Sequence, residues 1–143
     1  MEDGRSKIET EQPQKYMAII RSFRELRAYQ QARDEAKRVF EMTRTFPSEE
    51  KYSLTDQIRR SSRAVKSMIA EAWGHRRYQA AFVSKLTDAM GEANETQSWL
   101  DDALDSGYIQ PAQHQEFDLA WQSIGGMIAN MIVKADDFCR NAC

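Results

Sequence analysis

The chain has 143 residues, 41% hydrophobic and 29% charged, with a formal net charge of −2 and a sequence pI near 5.7. That length makes one domain with one core, and the slight negative charge supplies no bulk attraction for nucleic acid. No run of about 18 apolar residues is present to cross a bilayer, and two cysteines, Cys139 and Cys143, are too few for a disulfide scaffold or a four-ligand zinc site.

The chain opens on a polar stretch around Pro13 with little beyond Ile8 to bury. Such a stretch cannot repay its ordering entropy, so residues 1–20 are expected to be a flexible segment ahead of a domain spanning 21–143. No apolar leader precedes it, and a cytoplasmic protein is expected. Tyr16, Met17, Ile19 and Ile20 are more apolar than a free tail needs and invite packing on the domain or on a neighbour.

The first helix is predicted to start at Ser22, which has capping-box spacing to Glu25. Its stripe runs Leu26, Tyr29, Ala32, Ala36, Val39, Thr43, widened by Phe40. Phe46-Pro47 stops it, since proline disfavours helix at the preceding residue. Ser53 and Asp56 repeat the capping spacing and start a second helix over Leu54–Gly74, which Gly74 is placed to end in a left-handed cap. After the basic turn His75-Arg76-Arg77, a third helix runs about 27 residues on Phe82, Leu86, Ala89, Ala93, Thr96 or Gln97, Leu100 and Leu104, closed by Gly107. Pro111 is a good first-turn residue for the fourth, which carries Phe117, Trp121, Ile124, Ile128, Met131 or Ile132, Ala135 and Phe138. Gly125-Gly126 interrupts it at about 2 kcal/mol relative to alanine, which predicts a kink or a close helix contact. Four amphipathic helices on short connections predict an all-α, antiparallel up-down-up-down four-helix bundle.

The second helix organises the rest, because it offers three faces. Leu54, Ile58, Val65, Ile69 and Ala72 face the core, with Ser61 or Ser62 filling the gap. Arg60, Ala64, Ser67 and Glu71 form a small-residue stripe closed by charges. Arg59, Arg63 and Lys66 form a basic one. If the second and third helices are antiparallel, Arg59 or Arg60 stands level with Glu92 and Glu95, which predicts an ion pair fixing register, worth about 3–5 kcal/mol to either partner if buried. The other reading of the charges is a basic patch of Arg59, Arg63, Lys66, His75, Arg76 and Arg77 for phosphates, with Trp73 and Tyr78 flanking it for bases.

Chemistry is sparse. A di-iron bundle needs Glu-x-x-His on two helices, and this chain has Glu92-x-x-Glu95 but no such motif, so no metal or cofactor is expected. Glu71 and His75 lie a turn apart but lack an accompanying nucleophile, so no catalytic residue is assigned. Asp101-Asp102 and Asp136-Asp137 read as solvated surface.

The residues from Phe23 to Phe138 resemble the four-helix bundle family named after proteins encoded in large-subunit ribosomal RNA intervening sequences. The resemblance rests on Phe23-x-x-Leu26 with Ala32, Phe46-Pro47 with Glu49, Tyr52 and Leu54, then Gln57-Ile58-Arg59-Arg60-Ser61, Ile69-Ala70-Glu71, Glu95-Thr96-Gln97 and Gly107-Tyr108-Ile109. Met68 and Ala72 depart from it, where the family pattern has Asn and Gly. The turn at 74–79 is also one residue longer. The resemblance implies a helical bundle that assembles into a closed ring of five, with no assigned activity. A related branch, the accessory variability determinant proteins of diversity-generating retroelements, forms a basic barrel that binds nucleic acid and a reverse transcriptase. The expected partner is therefore the protein itself, with RNA, DNA or a nucleic-acid enzyme as the alternative, and no membrane. Trp73, Tyr78, Met90, Trp99, Met127 and Met131 lie beside the core stripes and are expected at the interface. The second and third helices would supply one face and the first or last helix the other.

Overall fold

The computed structural model describes residues 20–140. In chain order it contains α1 (Arg27–Thr43), α2 (Leu54–Gly74), α3 (Gln79–Asp105), α4 (Pro111–Val133) and a short α5 (Ala135–Cys139), with 3-10 turns at Phe23–Glu25 and Ser48–Glu50. No strand occurs among the described residues. Each long helix buries one stripe: Tyr29, Ala32, Ala36 and Val39 on α1; Ile58, Val65, Ile69 and Ala72 on α2; Phe82, Leu86, Ala89, Ala93 and Leu100 on α3; Trp121, Ile124 and Ile128 on α4. Thr96 and Met131 take two of the positions at which periodicity left a choice, Ser61 and Ser62 are both buried at the third, and Ala103 is buried in place of Leu104. Phe138 of α5 closes one end against Phe82, with ring centroids 5.7 Å apart.

Contacts between consecutive helices run in opposite residue order, as antiparallel neighbours require. Thr43 meets Arg59 and Phe40 meets Arg63. Arg60 meets Glu95 while Glu71 meets Lys85. Asp101 meets His114, Gln97 meets Gln122, and Phe82 meets Phe138. Arg38 with Glu116 ties α1 back to α4. The four helices therefore stand around one core, each touching two neighbours.

Several local expectations fail for identifiable reasons. Ser22 caps only the 3-10 turn, accepting from the Arg24 N–H at 3.1 Å, while Glu25 reaches past it to the Arg21 N–H at 2.8 Å. The α-helix starts at Arg27 instead, because Leu26 takes an extended conformation that a buried side chain holds in place. Ser53 does not cap α2: its hydroxyl donates to the Glu50 carboxylate at 2.6 Å, and that carboxylate accepts the Leu54 N–H at 3.4 Å. Gly74 ends α2 without a left-handed φ, which among the described glycines belongs to Gly107 alone, at +77°. There the Gly107 N–H donates to Leu104 O at 3.0 Å and the Tyr108 N–H to Ala103 O at 2.9 Å, the paired bonds of a Schellman cap. Gly125-Gly126 does not break α4, and a Cβ at either would meet nothing within 4 Å, so no intramolecular contact demands them. The helix breaks instead at Lys134.

The expected flexible segment 1–20 lies outside the described residues except Ile20, which belongs to the core. Among the described residues, no helix is long and apolar enough to cross a membrane.

Candidate functional site

The bundle has four sides, and they differ in charge. The side shared by α1 and α2 is basic. Arg59 donates to Thr43 Oγ1 at 2.7 Å and lies 4.4 Å from the Phe40 ring centroid, with Arg63 on the same ring at 5.4 Å. Lys66 continues that edge of α2 by helical spacing. Arg76 stacks on Trp73 at 3.5 Å and donates to the Trp73 carbonyl at 2.8 Å. The structure does not gather the basic residues into one patch. Arg59 and Arg76 stand seventeen residues apart in sequence, roughly 25 Å along the helix, and Arg76 already occupies the Trp73 face. Tyr78 is 66% exposed, with Arg77 5.9 Å from its ring, and His75 is exposed beside them.

The side shared by α2 and α3 is laced with ion pairs. Arg60 bonds the Glu95 carboxylate and reaches Glu92 at 3.4 Å, and Trp99 Nε1 donates to the same Glu95 oxygen at 3.1 Å. Burial works to lower the Arg60 pKa, but the Glu95 hydrogen bond and the two carboxylate charges outweigh it, so the guanidinium is held more firmly charged than usual. Arg59 is not part of this cluster. Glu71 closes the other end of the small stripe on Lys85, at 3.6 Å, so its carboxylate is engaged there rather than with His75. Beneath, fully buried, Ser61 Oγ and Thr96 Oγ1 share a hydrogen bond of 2.8 Å between the two helices. Its residue types were visible in sequence, but nothing there indicated that they would meet.

The side between α4 and α1 holds an open groove of about 600 Å³ lined by Asp34, Lys37, Arg38, Glu41, Met42, Gln113 and Phe117. Arg38 crosses it, bonding Glu35 at 3.0 Å and Glu116, and lying 4.6 Å from the Phe117 ring. The Arg38 charge is thus already neutralised from within the chain.

The side formed by α3 and α4 is different in kind. From Leu119 to Val133, α4 carries no charged residue, yet Leu119 is 60% and Val133 81% exposed. Of the residues that sequence pointed to as an interface, Met131 is core, Trp73, Met90, Trp99 and Met127 are half-buried against the core, and only Tyr78 is exposed. Sequence reading missed Leu119 and Val133 because it followed the apolar stripes; the fifteen-residue absence of charge was the signal that would have found them.

Among the described residues, no group of three or more His, Cys, Asp or Glu side chains is placed to hold a metal ion. Burial pushes the Cys139 thiol up despite the nearby Arg76 charge, which leaves it a poor nucleophile.

These features define an all-helical bundle whose four sides differ in charge and exposure. The chain belongs to the 23S rRNA-intervening sequence protein family, whose model matches residues 24–130. It is similar to a solved protein of unknown function from the S23 ribosomal protein family of Bacteroides thetaiotaomicron, at 26% identity and a TM-score of 0.68, covering 74% of this chain and 95% of that one. A search of curated proteins gives no match.

Proposed function

We propose that this protein is a non-enzymatic, homo-oligomeric bundle that acts as a scaffold or adaptor, assembling with copies of itself into a closed ring, with five copies favoured. The observation that carries this reading is the outer side of α4, where Leu119 and Val133 project from fifteen uncharged residues. A surface helix ordinarily turns charged residues to solvent, and the fold leaves this uncharged outer side of α4, with Leu119 and Val133, uncovered. Light scattering on untagged protein at micromolar concentration tests it. A mass several-fold above 16.6 kDa is expected, and the monomer mass overturns the scaffold reading.

A second reading has its own observation. Arg59 and Arg63 share the Phe40 ring, and Lys66 extends the same basic edge, a track suited to phosphates of RNA or DNA, alone or in company with a nucleic-acid enzyme. The ribosomal RNA named in the family's description is compatible with it. A gel shift against structured RNA at two salt concentrations checks this, since phosphate contacts lose affinity steeply with salt.

A further inference from the structure

Helix α3 carries an exposed stripe opposite its core side, through Ser84, Thr87, Gly91, Asn94 and Ser98, and none of these residues is charged. On α4 the corresponding outer stripe is Leu119, Ser123, Gly126, Asn130 and Val133, also exposed and also uncharged. Gly91 and Gly126 sit at the middle of the two stripes. A Cβ at either would meet nothing within 4 Å, so the fold itself gives no reason for glycine. A glycine inside a helix costs about 1 kcal/mol relative to alanine, and close approach from outside the chain is a reason to keep one.

Resting on the oligomer reading above, we propose that the outer face of α4 docks on the outer face of α3 of a second copy, with Gly126 crossing the partner's Gly91. Three independent features fit this pairing. The first is spacing. Leu119, Gly126 and Val133 recur every seven residues, and so do Ser84, Gly91 and Ser98. A seven-residue repeat is the one that keeps two helices in contact at a shallow left-handed crossing. Large side chains at the ends of one stripe then meet small ones at the ends of the other.

The second is height. Within the chain, Gln97 bonds Asp118 and Gln122, and Asp101 bonds His114. Ser98 therefore stands level with Leu119, and seven-residue steps in opposite directions bring Gly91 level with Gly126 and Ser84 level with Val133. Rotation about an axis parallel to the bundle preserves height, so these levels carry over between copies. Leu119 then faces the partner's Ser98, and Val133 faces the partner's Ser84. Ser123 and Asn130 then lie along one flank of the contact and the partner's Thr87 and Asn94 along the other, so each flank carries uncharged hydrogen-bonding groups.

The third is charge. The exposed sides of α1 and α2 carry Arg33, Asp34, Lys37, Arg60, Arg63 and Glu71, and laying these on the uncharged α4 face would desolvate charges to which α4 offers no partner. The α3 stripe is the uncharged match, and Asp88 at its margin is already paired with Lys85 at 3.8 Å. In a four-helix bundle the outward faces of adjacent helices diverge by roughly 90°. A closed ring in which one face meets the other requires about 90° for four copies and about 108° for five, so this head-to-tail contact suits a small closed ring.

The test separates this contact from the oligomer reading itself. Gly91→Arg and Gly126→Arg, with Gln31→Arg on α1 as control, are each measured by light scattering, with circular dichroism to verify folding. Both glycines are exposed with open space above them, so arginine does not disturb the bundle. The expected result is an oligomeric wild type and control, and 16.6 kDa monomers for both glycine variants. Register is read by disulfide trapping with Cys139 and Cys143 replaced by serine. Chains carrying Gly91→Cys mixed with chains carrying Gly126→Cys give a mixed disulfide, whereas Gly91→Cys with Val133→Cys, displaced by about 10 Å along the helix, does not. A wild-type oligomer that survives both arginines and forms no mixed disulfide overturns the α4–α3 contact and leaves the oligomer reading standing. A monomeric wild type assigns the face to another occupant and overturns both.

Discussion

At the scale of single residues, Glu50 and Glu95 each gather several donors. Glu50 lies in the turn between α1 and α2 and accepts the Ser53 hydroxyl at 2.6 Å and the Tyr108 hydroxyl at 2.7 Å, tying that turn to the one between α3 and α4. The Ser53 and Tyr108 bonds hold its carboxyl below its ordinary value of 4.5. A carboxyl with a depressed folded pKa stabilises fully above its unfolded value and loses that contribution as pH falls through the folded one. The melting-temperature gap between wild type and Glu50→Gln should therefore be constant above about pH 5 and close as the pH drops below 4.5. Thermal melts across that range check it, and a gap that persists undiminished at about pH 2 contradicts it. Glu95 is a different case. Arg60 and Glu95 are 49% and 34% exposed at their side chains, so the pair expected from sequence forms but is solvent-screened rather than buried. Arg60→Ala should then cost about 1 kcal/mol in urea unfolding, and a loss of about 3 kcal/mol would show that the pair behaves as buried after all.

At the scale of elements, two glycines that sequence treats alike diverge. Gly107 holds a φ of +77° that lets Tyr108 and Gly107 satisfy the last carbonyls of α3, whereas Gly74 ends α2 in ordinary conformation with open space about it. Gly107→Ala should destabilise by about 1–2 kcal/mol, and Gly74→Ala should stabilise by about 0.5–1 kcal/mol. Opposite shifts in denaturant midpoint confirm the distinction; shifts of the same sign refute it. The same pair shows what was legible in sequence. Core stripes and the bounds of α2 and α3 were, because burial imposes a period that Ile58, Val65, Ile69 and Ala72 display directly. Caps were not, because Ser22 and Ser53 announce an end that neighbours then decide: buried Leu26 moves one start, and Glu50 takes over the other. The Ser61–Thr96 bond depends on which sides of two helices meet, and single-helix spacing carries no such information, whereas the separation of Arg59 from Arg76 follows from the helical rise between them. The charge-free stretch of α4 from Leu119 to Val133 was encoded in plain sight as missing Asp, Glu, Lys and Arg, but periodicity looks for apolar residues and passes over absent charges.

At the scale of the molecule, the sides of the bundle predict how each proposed interaction responds to salt. Leu119, Gly126 and Val133 on one stripe, and Ser84, Gly91 and Ser98 on the other, offer no charge to screen. Ion pairs such as Arg60 with Glu95 and Arg38 with Glu116 are satisfied inside one chain and have no free valence for a neighbour. Each copy carries a net charge of only −2, so repulsion between copies is weak. Assembly through α3 and α4 should accordingly keep the same mass from about 50 to about 500 mM salt, a range over which exposed charge pairs are progressively screened. Cooling should loosen it, because burial of apolar surface weakens as temperature falls. Nucleic-acid binding along Arg59, Arg63 and Lys66 behaves oppositely and should vanish over the same salt range. Sedimentation at both ends of that range, with and without RNA, tells the two apart. An assembly that falls to monomers at high salt would place the contact on the charged α1–α2 side and remove the uncharged side from the interface.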